Sequence, residues 1–163
     1  MARTESTAVR VIGWILLHEL GHFERRHFEP EPEKQPLSPH DEEHDADAWA
    51  SDLATTPLDS DLEKANLVSI PFALGAMAGI NRHETAEHPA VVERLRRYYV
   101  AHILPLEKTD HSLFNTALFA ATTPLQALLH LRGWSHEGFA PLLDLEAYLT
   151  WWSAEMDKLP AAE

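Results

Sequence analysis

The segment Trp14-Ile15-Leu16-Leu17-His18-Glu19-Leu20-Gly21-His22 decides how this chain is read. Its two histidines stand four residues apart, inside a run whose apolar positions recur at helical spacing. An α-helix turns once in about 3.6 residues, so both imidazoles leave the same face and can grip one ion. Glu19 follows His18 directly, where its carboxylate can reach a water beside that ion. This is the H-E-x-x-H arrangement: two neutral ligands, which leave the charge of a zinc ion uncancelled, and a general base. Such an ion acidifies water and polarises a carbonyl, while the carboxylate carries a proton to a leaving amine. The apolar flanks Trp14, Ile15, Leu16, Leu17 and Leu20 predict a helix buried around the motif. Gly21 is expected to leave space beside the ion.

A hydrolytic site of this kind needs a third ligand. The extension H-E-x-x-H-x-x-G-x-x-H fails, because Arg25 stands at its Gly position and Phe28 at its last His. A carboxylate from a following helix is the other solution, and Glu43-His44-Asp45-Ala46-Asp47-Ala48-Trp49-Ala50 offers one. Glu43 and Asp47 are four apart on one helical face. Glu43 can complete the metal site, and Asp47 can hydrogen-bond the distal nitrogen of a ligand histidine. Ala46 and Ala50 are small enough for this helix to pack closely against the first. His44, Asp45 and Asp47 are competing candidates for the third ligand. The neighbouring His40, Asp41, Glu42 and His44 are spread round the helix axis, which argues against a second ion there.

Around these two segments the pattern is helical throughout. Helices are expected over about Ser6–Phe28, from Ser38 or Asp41 to Thr55, and from Asp59 or Ser60 to Ile80 with a kink at Pro71. Others are expected from after His88-Pro89 to Ile103, over Ser112–Leu131 with a bend at Thr123-Pro124, and over Pro141–Lys158. Glu29–Pro39 holds four prolines among charged residues and reads as a loop. No alternating strand pattern appears. The expected fold is mainly α: one compact helical domain over residues 1–163, whole or part of a longer chain, with the HELGH helix packed against the Glu43 helix.

Composition narrows the function classes. Apolar residues make up 45% of the 163, with five Trp, six Phe and three Tyr, which is enough for one core. Without cysteine, any metal must be held by His, Asp or Glu. A net charge of -13 argues against nucleic acid and anionic membrane surfaces. No secretory signal is visible, which fits the cytoplasm. The charge-poor stretches Ala65–Asn81 and Ser112–Leu131 each contain polar residues and a proline, so they read as buried core helices rather than membrane spans.

The pair HELGH and Glu-x-x-Ala-Asp-x-aromatic-Ala resembles the gluzincin metallopeptidases. The second motif is similar to those of HtpX-type enzymes and ImmA-like regulators, and His88-Pro89 followed by Glu93-Arg94-Leu95 echoes the HtpX-type pattern. The compact helical form and the run HELGHFERRH look most like the Lit-type phage-exclusion peptidases. The resemblance covers roughly Gly13 to Leu95. It implies zinc on His18, His22 and Glu43, Glu19 as base, Asp47 as the orienting carboxylate, and a protein substrate cut by an endopeptidase. Candidates for stabilising the oxyanion are His83, His88, Tyr98 and Tyr99, of which His88 is preferred because Pro89 fixes its backbone. Arg94 is expected to pair with an acidic residue, and His27, five past His22, to lie off the metal face as a helix-end cation. Trp134, Trp151 and Trp152 are expected in the core. The competing readings are a metal-stabilised helical module without turnover and a metal-free helical interaction domain.

Overall fold

The computed structural model describes residues 2–27, 37–56, 60–78, 85–86, 88–134 and 144–159. These form helices and no strand: α1 (Ala2–Glu24), α2 (Pro39–Thr55), α3 (Asp61–Met77), α4 (Val91–Tyr98), α5 (Leu106–Thr109), α6 (His111–Leu131) and α7 (Leu145–Asp157). The starts of α2, α3, α6 and α7 are each fixed by a side-chain cap. Ser38 accepts from the Asp41 N–H, Ser60 from Glu63, Asp110 from Leu113 and Asp144 from Glu146. Each cap satisfies an amide that has no partner in the first turn of a helix. Pro39 sits in the first turn of α2, where its missing N–H costs nothing.

The two charge-poor stretches become α3 and α6, which make the most extensive helix–helix contact in the molecule. Each carries a proline inside the helix, Pro71 and Pro124. Gly75 of α3 meets α6 where Pro124 stands. A Cβ at Gly75 would lie 2.6 Å from the Ala121 carbonyl oxygen and 2.7 Å from Pro124 Cγ. The absent side chain therefore sets the distance between the two helices. Helix α7 closes the far side: the Trp152 Nε1–H donates to the Leu125 carbonyl at 2.7 Å, and Trp152 is fully buried. Trp134 is buried with it, and Trp151 is half-buried against the same cluster.

Boundaries differ from expectation in α1, which begins at Ala2 rather than Ser6, and after α4. Helix α1 stops at Glu24, while Phe28 and most of the following loop lie outside the described residues. The helix expected to reach Ile103 widens at Tyr99–Ile103 into a π turn, closed by the Leu104 N–H donating to the Tyr99 carbonyl. The wider turn advances the inward face by a residue, so that Leu95 and Tyr98 before it and Ile103 and Leu106 after it are all buried. The single turn α5 follows it. The expected start of the last helix at Pro141 lies outside the described residues, within which α7 begins at Leu145. Among the described residues, no helix is long and apolar enough to cross a membrane.

Two glycines in helices give opposite expectations. Gly75→Ala should destabilise by about 1–3 kcal/mol, since a methyl has no room between α3 and α6. Gly13→Ala, whose Cβ would meet nothing within 4 Å, should stabilise by up to about 1 kcal/mol. Denaturant midpoints of both variants check this; a Gly75→Ala variant as stable as the parent would mean that the helices are not in close contact there.

Candidate metal centre

Helices α1 and α2 lie against each other through Gly21 and Ala46. A Cβ on Gly21 would come within 3.2 Å of the Ala46 Cα and carbonyl oxygen. The glycine therefore opens no space beside an ion, as the sequence suggested; it lets the two backbones approach. That approach brings three ligating groups together. His18 Nε2 and His22 Nε2 are 3.2 Å apart, His18 Nε2 is 3.5 Å from Glu43 Oε2, and His22 Nε2 is 3.4 Å from Glu43 Oε1. All three residues are buried. Among the described residues they are the group of three able to share one ion.

Asp47, one turn beyond Glu43, stands behind His18. Its Oδ1 lies 2.9 Å from His18 Nδ1, though that N–H is turned off the oxygen's line. Arg94 of α4 grips Asp47 with two hydrogen bonds of 2.6 Å and reaches Glu43 Oε2 at 3.5 Å. Burial by itself raises the pKa of the Asp47 carboxyl, but His18 and Arg94 beside it hold it below the usual carboxylate range. The competing ligand candidates face elsewhere. Asp45 is bound by Arg25 through both oxygens, and His44 lines a cavity of about 270 Å³ behind the Asp47–Arg94 pair, with Trp14, Ser51, Tyr98 and His102.

Glu19 is exposed to solvent, close enough for its charge to act on His22 and Arg94. His88 is half-exposed, with Nδ1 3.2 Å from Glu43 Oε1. Its loop is pinned: the Thr85 N–H donates to the His88 carbonyl, the His88 N–H to Thr85 Oγ1, and His40 of α2 meets the Thr85 carbonyl at 2.7 Å. Tyr98 and Tyr99 are buried in the core, with the Tyr98 hydroxyl donating to the Leu67 carbonyl, and take no part in the site. His83 lies outside the described residues.

Two further expectations from sequence are corrected. The motif helix is not buried all round: Trp14 is buried, but Ile15, Leu16 and Leu20 are exposed, together with Val9, Ile12 and Phe23. His27 is not a free helix-end cation. Arg26 adopts a left-handed φ of 58° and turns the chain back, with the His27 N–H donating to the His22 carbonyl and the Arg26 N–H to that of Phe23. This is a Schellman stop closed by arginine instead of glycine. It brings His27 Nδ1 to 2.9 Å from His22 Nδ1.

The interior imidazoles set a pH window. Burial is the first cause lowering the pKa of His22, of His44 and of His102 from 6.5, helped at His22 by His18 and opposed by Glu43. The unfolded chain therefore takes up these protons before the folded one does. Stability of the metal-free protein should be complete above pH 6.5 and fall as the pH drops through the lowered folded values. Urea midpoints at neutral and mildly acid pH, in about 0.5 M salt to screen the net charge, would show it. An unchanged or higher midpoint in acid contradicts the assignment.

A model of the family described as Peptidase U49 matches residues 1–114, and the chain belongs to that family. No curated protein and no solved structure matches the chain.

Proposed function

From membership of the peptidase U49 family, which makes the chain a peptidase acting on protein, we propose that it is a zinc-dependent endopeptidase of the gluzincin kind, closest in character to the Lit-type enzymes. The observation that carries the reading is that His18 Nε2 and His22 Nε2 lie 3.2 Å apart, with the two oxygens of the Glu43 carboxylate 3.5 Å and 3.4 Å from them respectively. Ligand atoms about 2.0–2.1 Å from a tetrahedral zinc lie about 3.3 Å from one another. The residues thus fit zinc in donor type, number and spacing, and a fourth position remains for water or substrate. When bound, zinc supplies Lewis acidity: it polarises the scissile carbonyl and acidifies water.

The chain's own groups do the rest. His18 and His22 would hold the ion as neutral rings, with Glu43 adding one negative charge. Asp47, fixed by Arg94, sets the orientation of the His18 ring through its distal nitrogen. Glu19, exposed beside this face, takes the proton from the attacking water and passes it to the leaving nitrogen. His88 reaches the edge of the site from its pinned loop and supplies a donor for the oxyanion. The exposed apolar row Leu16, Leu20 and Phe23 flanks the motif on the solvent side and offers contact area to an extended substrate.

Glu19→Gln should keep stoichiometric zinc and lose about 10²–10⁴-fold in hydrolysis of a mixed peptide library read by mass spectrometry. Normal cleavage by that variant would end the mechanism. A wild-type protein that holds zinc but cleaves nothing supports instead a metal-stabilised module without turnover.

His88→Ala should also keep zinc while lowering turnover about 10²-fold. Loss of zinc from this variant would make His88 a ligand rather than an oxyanion donor.

A further inference from the structure

The turn that ends α1 does more than stop a helix. His27 is packed inside it, its side chain only 4% exposed, and both ring nitrogens have partners. Nδ1 faces His22 Nδ1 at 2.9 Å, and Nε2 faces Asp45 Oδ2 at 3.2 Å. Asp45 is held in turn by Arg25, whose Nε and Nη2 donate to its two oxygens at 2.8 and 2.7 Å.

The proton positions along this line follow from one condition. If His22 offers the Nε2 lone pair to an ion, its proton sits on Nδ1 and must be donated. His27 Nδ1, 2.9 Å away, is placed to accept it, and when it does the proton of His27 sits on Nε2, where it is donated to Asp45. Arg25 keeps the Asp45 carboxylate charged, and that hydrogen bond holds its pKa low. The direction of every bond is fixed, and each makes His22 a better electron donor through Nε2.

Asp45 cannot reach His22 alone. It is two residues from Glu43 and thus about 200° round α2 from the metal face. His27 spans that gap, and it can do so only because left-handed Arg26 folds the chain back over His22. A separate carboxylate–arginine pair thus stands by each ligand histidine: Asp47 and Arg94 lie beside His18, with Asp47 Oδ1 2.9 Å from its Nδ1, and Asp45 and Arg25 connect to His22 through an intervening imidazole.

We propose that His27 is a positioning residue for the metal centre, which fixes the tautomer and ring orientation of His22 by accepting its Nδ1–H at Nδ1 while donating its own Nε2–H to Asp45. The proposal rests on the assignment of zinc to His18, His22 and Glu43.

The test measures zinc affinity of the full chain by competition with a chromophoric chelator, and the visible spectrum of the cobalt form, for wild type, His27→Phe and His27→Gln. Phe keeps a ring in the turn but no nitrogen; Gln keeps an acceptor and a donor. His27→Phe should bind zinc about 10–100-fold more weakly and shift the cobalt bands. His27→Gln should recover most of both, while the urea midpoints of the two metal-free variants stay alike. Wild-type affinity and an unshifted spectrum in His27→Phe overturn the proposal. Equal loss in both variants also overturns it, since ring packing alone would then be what matters. Wild-type protein that takes up no stoichiometric zinc instead sinks the metal assignment itself.

Discussion

Arg94 carries a full charge into the interior, where it is 7% exposed, and two carboxylates from α2 receive it. A guanidinium in that position is tolerable only while it is paired, because a buried ion left without its partner costs about 3–5 kcal/mol. The requirement ties three helices to one point. Asp47 must stay on the inward face of α2, which keeps Glu43, one turn earlier, on that face as well. His18 of α1 must lie against Asp47, and α4 must enter beside them. The fork of the guanidinium matches the two carboxylate oxygens in a way that a lysine could not. Local geometry at the candidate metal centre thus depends on an ion pair buried beside it.

The parts of this arrangement that depend on periodicity were legible in the chain itself. Four-residue spacing puts His18 with His22 and Glu43 with Asp47, whatever else the protein does. The charge-poor stretches that become α3 and α6 announce burial by composition alone, and the caps at Ser38 and Ser60 follow from turn chemistry. What periodicity cannot say is which side of an apolar helix meets the core. Ile15 and Leu16 are as hydrophobic as Leu17 and Trp14, but α2 and α3 cover only one side of α1.

His27 was illegible for a different reason. Helix stops are usually marked by glycine, whose freedom at positive φ suits the left-handed residue. Here Arg26 takes that conformation, so the sequence gives no sign that the chain reverses four residues after His22. Read as a continuing helix, position 27 points away from the metal face; read with the stop in place, it rests on His22. The π turn at Tyr99–Ile103 was hidden in the same way, because one extra residue in a turn leaves the apolar spacing almost unchanged. Gly21 was misassigned because a glycine beside a motif looks the same whether it makes room for an ion or for a helix.

The contact between α3 and α6 also has a meaning in time. A ribosome delivers His18, His22 and Glu43 well before α6 at His111–Leu131 has been made. Until then α3 lacks the surface that Gly75 is shaped to fit, and α4, which brings Arg94 to Asp47, has only part of its own support. The emerging chain therefore carries all three ligands before it carries the frame that aligns them. The site proposed on these three residues is therefore aligned only once a segment that touches none of them has been synthesised.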